Sequence, residues 1–141
     1  MPEQLVIERT YAASPDRVWD AWTRSDEVER WYCPNPTAPT SASLDVRPGG
    51  EHRVDMGPYR LTGRYSAVEP GRRLAHTWSF DGGDETAVDV RFEPAGTGTL
   101  VTLTHEGFAA DDDRVGIRQG WELSLLRLAA LLQAEETAAT A

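Results

Sequence analysis

The chain has 141 residues, 40% of them hydrophobic, 26% charged and a formal net charge of −9. These are the proportions of one soluble domain, large enough to bury roughly 68–70% of its unfolded surface. The acidic balance repels phosphate backbones and anionic lipid surfaces, so neither a nucleic-acid partner nor membrane insertion is expected.

QLVIERTY (residues 4–11) reads as a strand, with Leu5 and Ile7 on one phase. A helix start follows, with Ser14 as N-cap, Pro15 at the first helical position and Asp16 in the first turn. Val18, Trp19 and Trp22 then recur at helical spacing, and Trp19 and Trp22 are read as core packing. Ser25 is the expected cap of a second short helix, DEVERW, which the prolines of CPNPTAP close. From Leu44 the period changes to two. SLDVR, EHRVDM, RLTGRYS, RLAHTWSF, TAVDVRFE and TLVTLTHE are divided by PGG, GP, EPG, DGGDE and PAGTG, which predicts an antiparallel meander. The longest helical run spans roughly Arg114 to Glu136, with Asp111, Asp112 and Asp113 suiting its positive N-terminal end. Ile117, Trp121, Ser124, Leu125, Leu128, Leu131 and Leu132 form its apolar stripe. Leu123, Leu126 and Ala130 lie off that stripe and would pack under a loop or make a homodimer contact. A long amphipathic helix must lay its stripe on the sheet. The expected fold is therefore α+β, a bent antiparallel sheet wrapped around a C-terminal helix, residues 1–141 forming one domain.

The strand phases sort the side chains. His52, Val54 and Met56, then Leu61, Gly63 and Tyr65, share the inward phase; so do Leu74, His76, Trp78 and Phe80. Val88, Val90 and Phe92, then Val101, Leu103 and His105, complete the set. No Asp or Glu of these strands shares that phase, so paired-carboxylate chemistry has no seat. No serine elbow, phosphate-binding glycine loop or zinc-type spacing occurs, and RPGG at 47–50 reads as a tight turn. The chain contains no lysine, which excludes Schiff-base catalysis. All three histidines point inward from three different strands. They read as core or cavity-wall residues, with metal binding and acid–base work on a ligand as the other possibilities. Trp78 and Trp121 either fill the interior or line a cavity. Cys33 is the only cysteine, so no internal disulfide forms, which fits a reducing compartment. The N-terminus lacks the pattern of a signal peptide, and no apolar run approaches about 18 residues. A cytoplasmic location is expected.

Five segments together resemble a known family: SPDRVWDAWTRSDEVERWYCP, LDVRPGGEHRVDM, GRYSAVEPGRRLAHTW, GTLVTLTHEGF and GWELSLLRLAALL. They are similar to the activator-of-heat-shock-protein-90-ATPase-like family of the START-related, helix-grip superfamily, over about residues 4–135. That superfamily includes polyketide cyclases and the birch-pollen-allergen type. The resemblance implies a helix-grip fold, with a cavity between sheet and helix that takes lipids, sterols, polyketides or other apolar molecules. No cofactor and no metal are expected.

Three readings follow. The first is a small protein binding an apolar or aromatic molecule between the long helix and the concave sheet. Its candidate site residues are Val54, Met56, Tyr65, His76, Trp78, Val88, Val90, Leu103, His105, Trp121, Leu125 and Leu128. The second is a cyclase- or hydrolase-like enzyme in which His76 or His105 moves protons. The third is a co-chaperone-like interaction module using the acidic surface or the Leu123 and Leu126 patch.

Overall fold

The computed structural model describes residues 4–33, 35, 37–108 and 114–140. Asp111–Asp113, expected at the long helix's start, lie outside the described residues. In chain order the elements are β1 (Gln4–Tyr11), α1 (Pro15–Thr23), α2 (Ser25–Trp31), β2 (Thr40–Leu44) and β3 (Glu51–Met56). Then come β4 (Tyr59–Glu69), β5 (Arg73–Phe80), β6 (Thr86–Ala95), β7 (Gly98–Glu106) and α3 (Arg114–Thr140). The strands form a single antiparallel sheet in the order β1-β7-β6-β5-β4-β3-β2. Only β1 leaves the meander, crossing α1 and α2 to pair with the last strand. The helix-grip expectation holds, and α3 extends about one turn past the expected Glu136.

Ser14 caps α1 as expected, its hydroxyl accepting from the Arg17 N–H at 3.2 Å. Ser25 does something else. Arg24 occupies the N-cap of α2 without a side-chain capping bond, and the Ser25 hydroxyl accepts from the Leu44 N–H at 3.3 Å. Glu29 accepts from the Ala42 N–H at 2.9 Å. Ala42 and Leu44 are alternate residues of the edge strand β2, so α2 satisfies amides that would otherwise stand open. The strand expected as SLDVR thus sits slightly earlier. Asp45 begins the turn, where the Gly50 N–H donates to the Arg47 carbonyl at 2.8 Å and Gly49 adopts φ +85°.

Outward-facing charges pair across strands, as Arg73 with Asp89 at 2.7 Å and Arg60 with Asp55 at 3.0 Å. Such half-exposed pairs contribute at most about 1 kcal/mol each. The core lies between the concave face and α3. Ile7, Val54, Leu61, Tyr65, Leu74, Val88, Val90 and Leu103 meet Trp121, Leu125, Leu128 and Leu132 there. Trp22 is the hub beneath α1, stacking on Trp121 at 6.3 Å and meeting Trp31 edge-on at 4.7 Å. Trp19 packs against Phe92 at 5.4 Å, so both α1 tryptophans are packing residues. Leu123 and Leu126 face outward, 50% and 63% exposed.

Two features position the site. β4 bends where its register against β5 shifts, between Tyr65 and Ala67. At Gly63 a Cβ would stand 1.9 Å from the Thr77 carbonyl oxygen, so only glycine lets the strands approach there. The second feature is the tie between α2 and α3. Ser124 donates to the Tyr32 carbonyl at 2.7 Å, and Arg127 donates to the carbonyls of Arg30, at 2.9 Å, and Cys33. These carbonyls belong to the frayed end of α2, which has no intrahelical partners for them.

Candidate ligand-binding site

Along α3, the i, i+4 row reads Gly116, Gly120, Ser124, Leu128, Leu132. Residues in such a row stand above one another on the helix surface. Its first half carries almost no side-chain volume and its second half carries leucines. The interior divides accordingly. Leu125, Leu128 and Leu132 close the space against the sheet, while around Gly116, Gly120 and Ser124 a cleft of about 520 Å³ opens.

The sheet side of this cleft is Met56 from β3, Leu61 from β4, Trp78 and Phe80 from β5, and Thr86 from β6. The helix side is Ile117 and Trp121, with Tyr32 entering from the end of α2 and Phe108 from beyond β7. Gly83 and Asp84 stand at the rim, on the turn between β5 and β6. That turn is shaped by Asp81, whose φ of 52° is tolerated because its carboxylate accepts from the Arg60 N–H at 2.8 Å. Trp78 and Phe80 stack at 6.0 Å and make one aromatic wall.

Three of the twelve residues expected from sequence, Met56, Trp78 and Trp121, line the cleft. Val54, Tyr65, His76, Val88, Val90, Leu103, His105, Leu125 and Leu128 are buried in the filled core behind it. The sequence reading missed Tyr32, Leu61, Phe80, Thr86, Phe108, Ile117 and Ser124 as lining residues. The signal for the helix side was the change from glycine and serine to leucine in the row above. Tyr32 carried no such signal, because it falls after a helix end where no periodicity aims it.

The histidines occupy one neighbourhood but differ in their bonding. His105, Val88 and His76 are aligned across β7, β6 and β5, with Tyr65 next on β4. His105 lies just behind the cleft wall. Thr86 donates its hydroxyl proton to the Trp78 carbonyl at 2.9 Å, so it accepts from His105 Nε2, 2.7 Å away. His105 Nδ1 is therefore the acceptor, and it takes the Trp121 indole N–H at 3.1 Å. Both ring nitrogens are engaged in a chain that ties together Trp121, Thr86 and the Trp78 backbone. Burial, with the nearby His76 charge second, lowers the His105 pKa to about 3. The ring is neutral and has no free lone pair.

His76 donates from Nδ1 to the Thr77 carbonyl at 2.7 Å, the carbonyl that Gly63 leaves room for, and its Nε2 is buried without a partner. Burial lowers its pKa to about 4, against the Thr77 bond. His52 stacks on it, ring centres 4.0 Å apart and 12° from parallel. Burial, then the His76 charge, hold His52 well below its ordinary value. Among the described residues no group of three or more His, Cys, Asp or Glu is placed to hold a metal ion. No helix among them is long and apolar enough to cross a membrane.

A curved antiparallel sheet gripping a C-terminal helix, with two short helices after the first strand and a cleft under the helix, is the architecture of the START/Bet v 1-like class. The family pattern described as Activator of Hsp90 ATPase homolog 1-like protein matches residues 12–133, and the chain belongs to that family. No relative is found among curated proteins. Solved structures agree in fold. CV1439 from Chromobacterium violaceum is 26% identical with a TM-score of 0.83, covering 93% of this chain and 98% of its own. Mll3558 from Rhizobium loti is 30% identical with a TM-score of 0.77, covering 92% and 96%. DynU16, a protein in the dynemicin biosynthetic locus, is 26% identical with a TM-score of 0.80; the match covers 92% of this chain and 47% of that one.

Proposed function

We propose that the protein binds an apolar or aromatic small molecule in the cleft between α3 and the sheet. The observation that carries this reading is the cleft itself. Its volume of about 520 Å³ falls within the roughly 300–1,000 Å³ typical of small-molecule sites. Its walls are Trp78, Phe80, Phe108 and Trp121, with Met56 and Leu61 at the sheet side. The family supplies a fold suited to ligand binding, and a structural neighbour from a biosynthetic locus is in keeping with a small-molecule ligand. A cytoplasmic location belongs to the same reading, resting on the single, buried Cys33.

The histidine-based enzyme is the weaker reading. General-base catalysis requires a free lone pair within reach of the substrate proton, and both nitrogens of His105 are engaged. His76 keeps a free nitrogen but lies behind the cleft lining.

Native mass spectrometry of the purified protein, set against its denatured mass, tests the proposal. A non-covalent organic adduct is the expected result, and its mass names the ligand class. A bare protein whose melting temperature is unmoved by saturating lipids, polyketides and aromatic metabolites would overturn it, because a ligand of the native state must stabilise by mass action.

A further inference from the structure

The concave face of the sheet continues beyond the enclosed part of the cleft. Tyr59 shares the phase of Leu61 on β4, and Phe80 shares that of Trp78 on β5. Leu61 lies opposite Phe80 in the register. Tyr59 therefore stands one step further out on the same face, diagonal to Phe80 and within reach of its ring. The three rings form a row. Trp78 and Phe80 lie 6.0 Å apart at 18° from parallel, and Phe80 and Tyr59 lie 5.3 Å apart at 28°.

Exposure rises along this row. Trp78 is half-buried, Phe80 is 40% exposed and Tyr59 is 51% exposed, whereas Leu61 beside them is sealed. Apolar groups on the concave phase of a sheet ordinarily lie beneath another layer. These two rings stand open, and they are continuous with the cleft, because Trp78 and Phe80 also line it. The row leads from the interior to solvent.

Its geometry restricts what can lie on it. Phe80 sits between Trp78 and Tyr59, so the ring faces are turned towards one another. What the row offers to the space above the sheet is ring edges. Such edges carry partial positive charge and favour the negative face of another π-system over a saturated chain. Polar recognition has little part here. The Thr86 and Ser124 hydroxyls and the Trp121 N–H are engaged within the protein, and no Arg or His lines the cleft among the described residues.

We propose that Phe80 and Tyr59 form an outer subsite of the cleft, which takes the face of a planar fused-ring ligand reaching outward past Trp78. The occupant is the outer part of the cleft's own ligand. Tyr59, which does not line the enclosed cleft, thereby selects for ligand length.

This inference rests on the cleft being the ligand site, and its test separates the two. The probes are quinoline and acridine, with two and three fused rings and the same ring nitrogen, both uncharged at the pH of the titration. Each is titrated by calorimetry into the wild type, Tyr59→Leu and Tyr59→Phe, and a cooperative melting transition shows that the variants are folded. The acridine-to-quinoline affinity ratio should fall about fivefold in Tyr59→Leu, which keeps an apolar side chain but no ring. Tyr59→Phe should retain the wild-type ratio. If both probes bind and Tyr59→Leu leaves the ratio unchanged, the outer subsite is overturned and the cleft reading stands. An unchanged ratio with an altered oligomeric state, read by sedimentation, would assign the two rings to a second copy and overturn the subsite equally. If neither probe binds the wild type, the cleft reading fails and the subsite falls with it.

Discussion

The two halves of α3 face the same sheet with opposite results. Around Leu125, Leu128 and Leu132 the helix fills the interior, and Leu128 is completely buried. Around Gly116, Gly120 and Ser124 the same helix row leaves a cleft walled by aromatic rings from other elements. A helix need not change its fold to make a site. It needs a few turns in which the residues that would fill the core are too small to do so.

The largest expected effect is acid destabilisation of the filled half. His76 and His105 are held neutral in the folded protein at pKa values of about 4 and about 3, against about 6.5 when unfolded. The unfolded state therefore takes up protons first as pH falls. The stability these residues contribute is complete above about pH 6.5 and is lost progressively towards pH 4 and 3. Between pH 7 and 5 the loss should be on the order of 4 kcal/mol for the two together. Urea denaturation across that range checks it. A flat profile would mean that these histidines are hydrated rather than sealed behind the cleft.

Leu128→Ala comes next, with an expected loss of about 3 kcal/mol as a cavity opens where the leucine side chain was, read from the same denaturation curves. A loss below about 1 kcal/mol would mean that the filled half is not tightly packed, and the contrast along α3 would fail.

Gly120→Ala should have the smallest effect and the opposite sign, a gain of up to about 1 kcal/mol from helix propensity. A small-molecule dye that binds the wild type should bind this variant less well, because the new methyl group enters the cleft. A destabilised protein would show that Gly120 is needed for close packing rather than for open space.

Much of the fold was legible before any coordinates. Alternation from Leu44 to His105 reported the meander, because in a sheet with one buried face each inward residue must be apolar or internally bonded. The Ser14–Pro15 signal marked α1 because its cap is local. Ser25 was misread for the converse reason. Its hydroxyl had a choice between its own helix and the open edge of β2, and only the packing of α2 on that edge resolves it. The candidate site was read less well. Met56, Trp78 and Trp121 line the cleft, but the same phase also collected His76, His105 and Val90, which lie behind the wall. Inward phase places a side chain on the concave face without saying whether another side chain covers it.

By itself, then, the sequence determined the order and kind of the elements, the inward direction of all three histidines and the family. Each of these depends on neighbours in the chain or on a strict period. Tertiary structure decided that Ser124 and Arg127 hold the end of α2, which places Tyr32 at the cleft wall. It also decided which nitrogen of His105 carries the proton, through Thr86 on the neighbouring strand and Trp121 on the helix. Hydrogen-bond partners distant in sequence are chosen by how the layers pack, and the same packing separates a filled core from an open cleft.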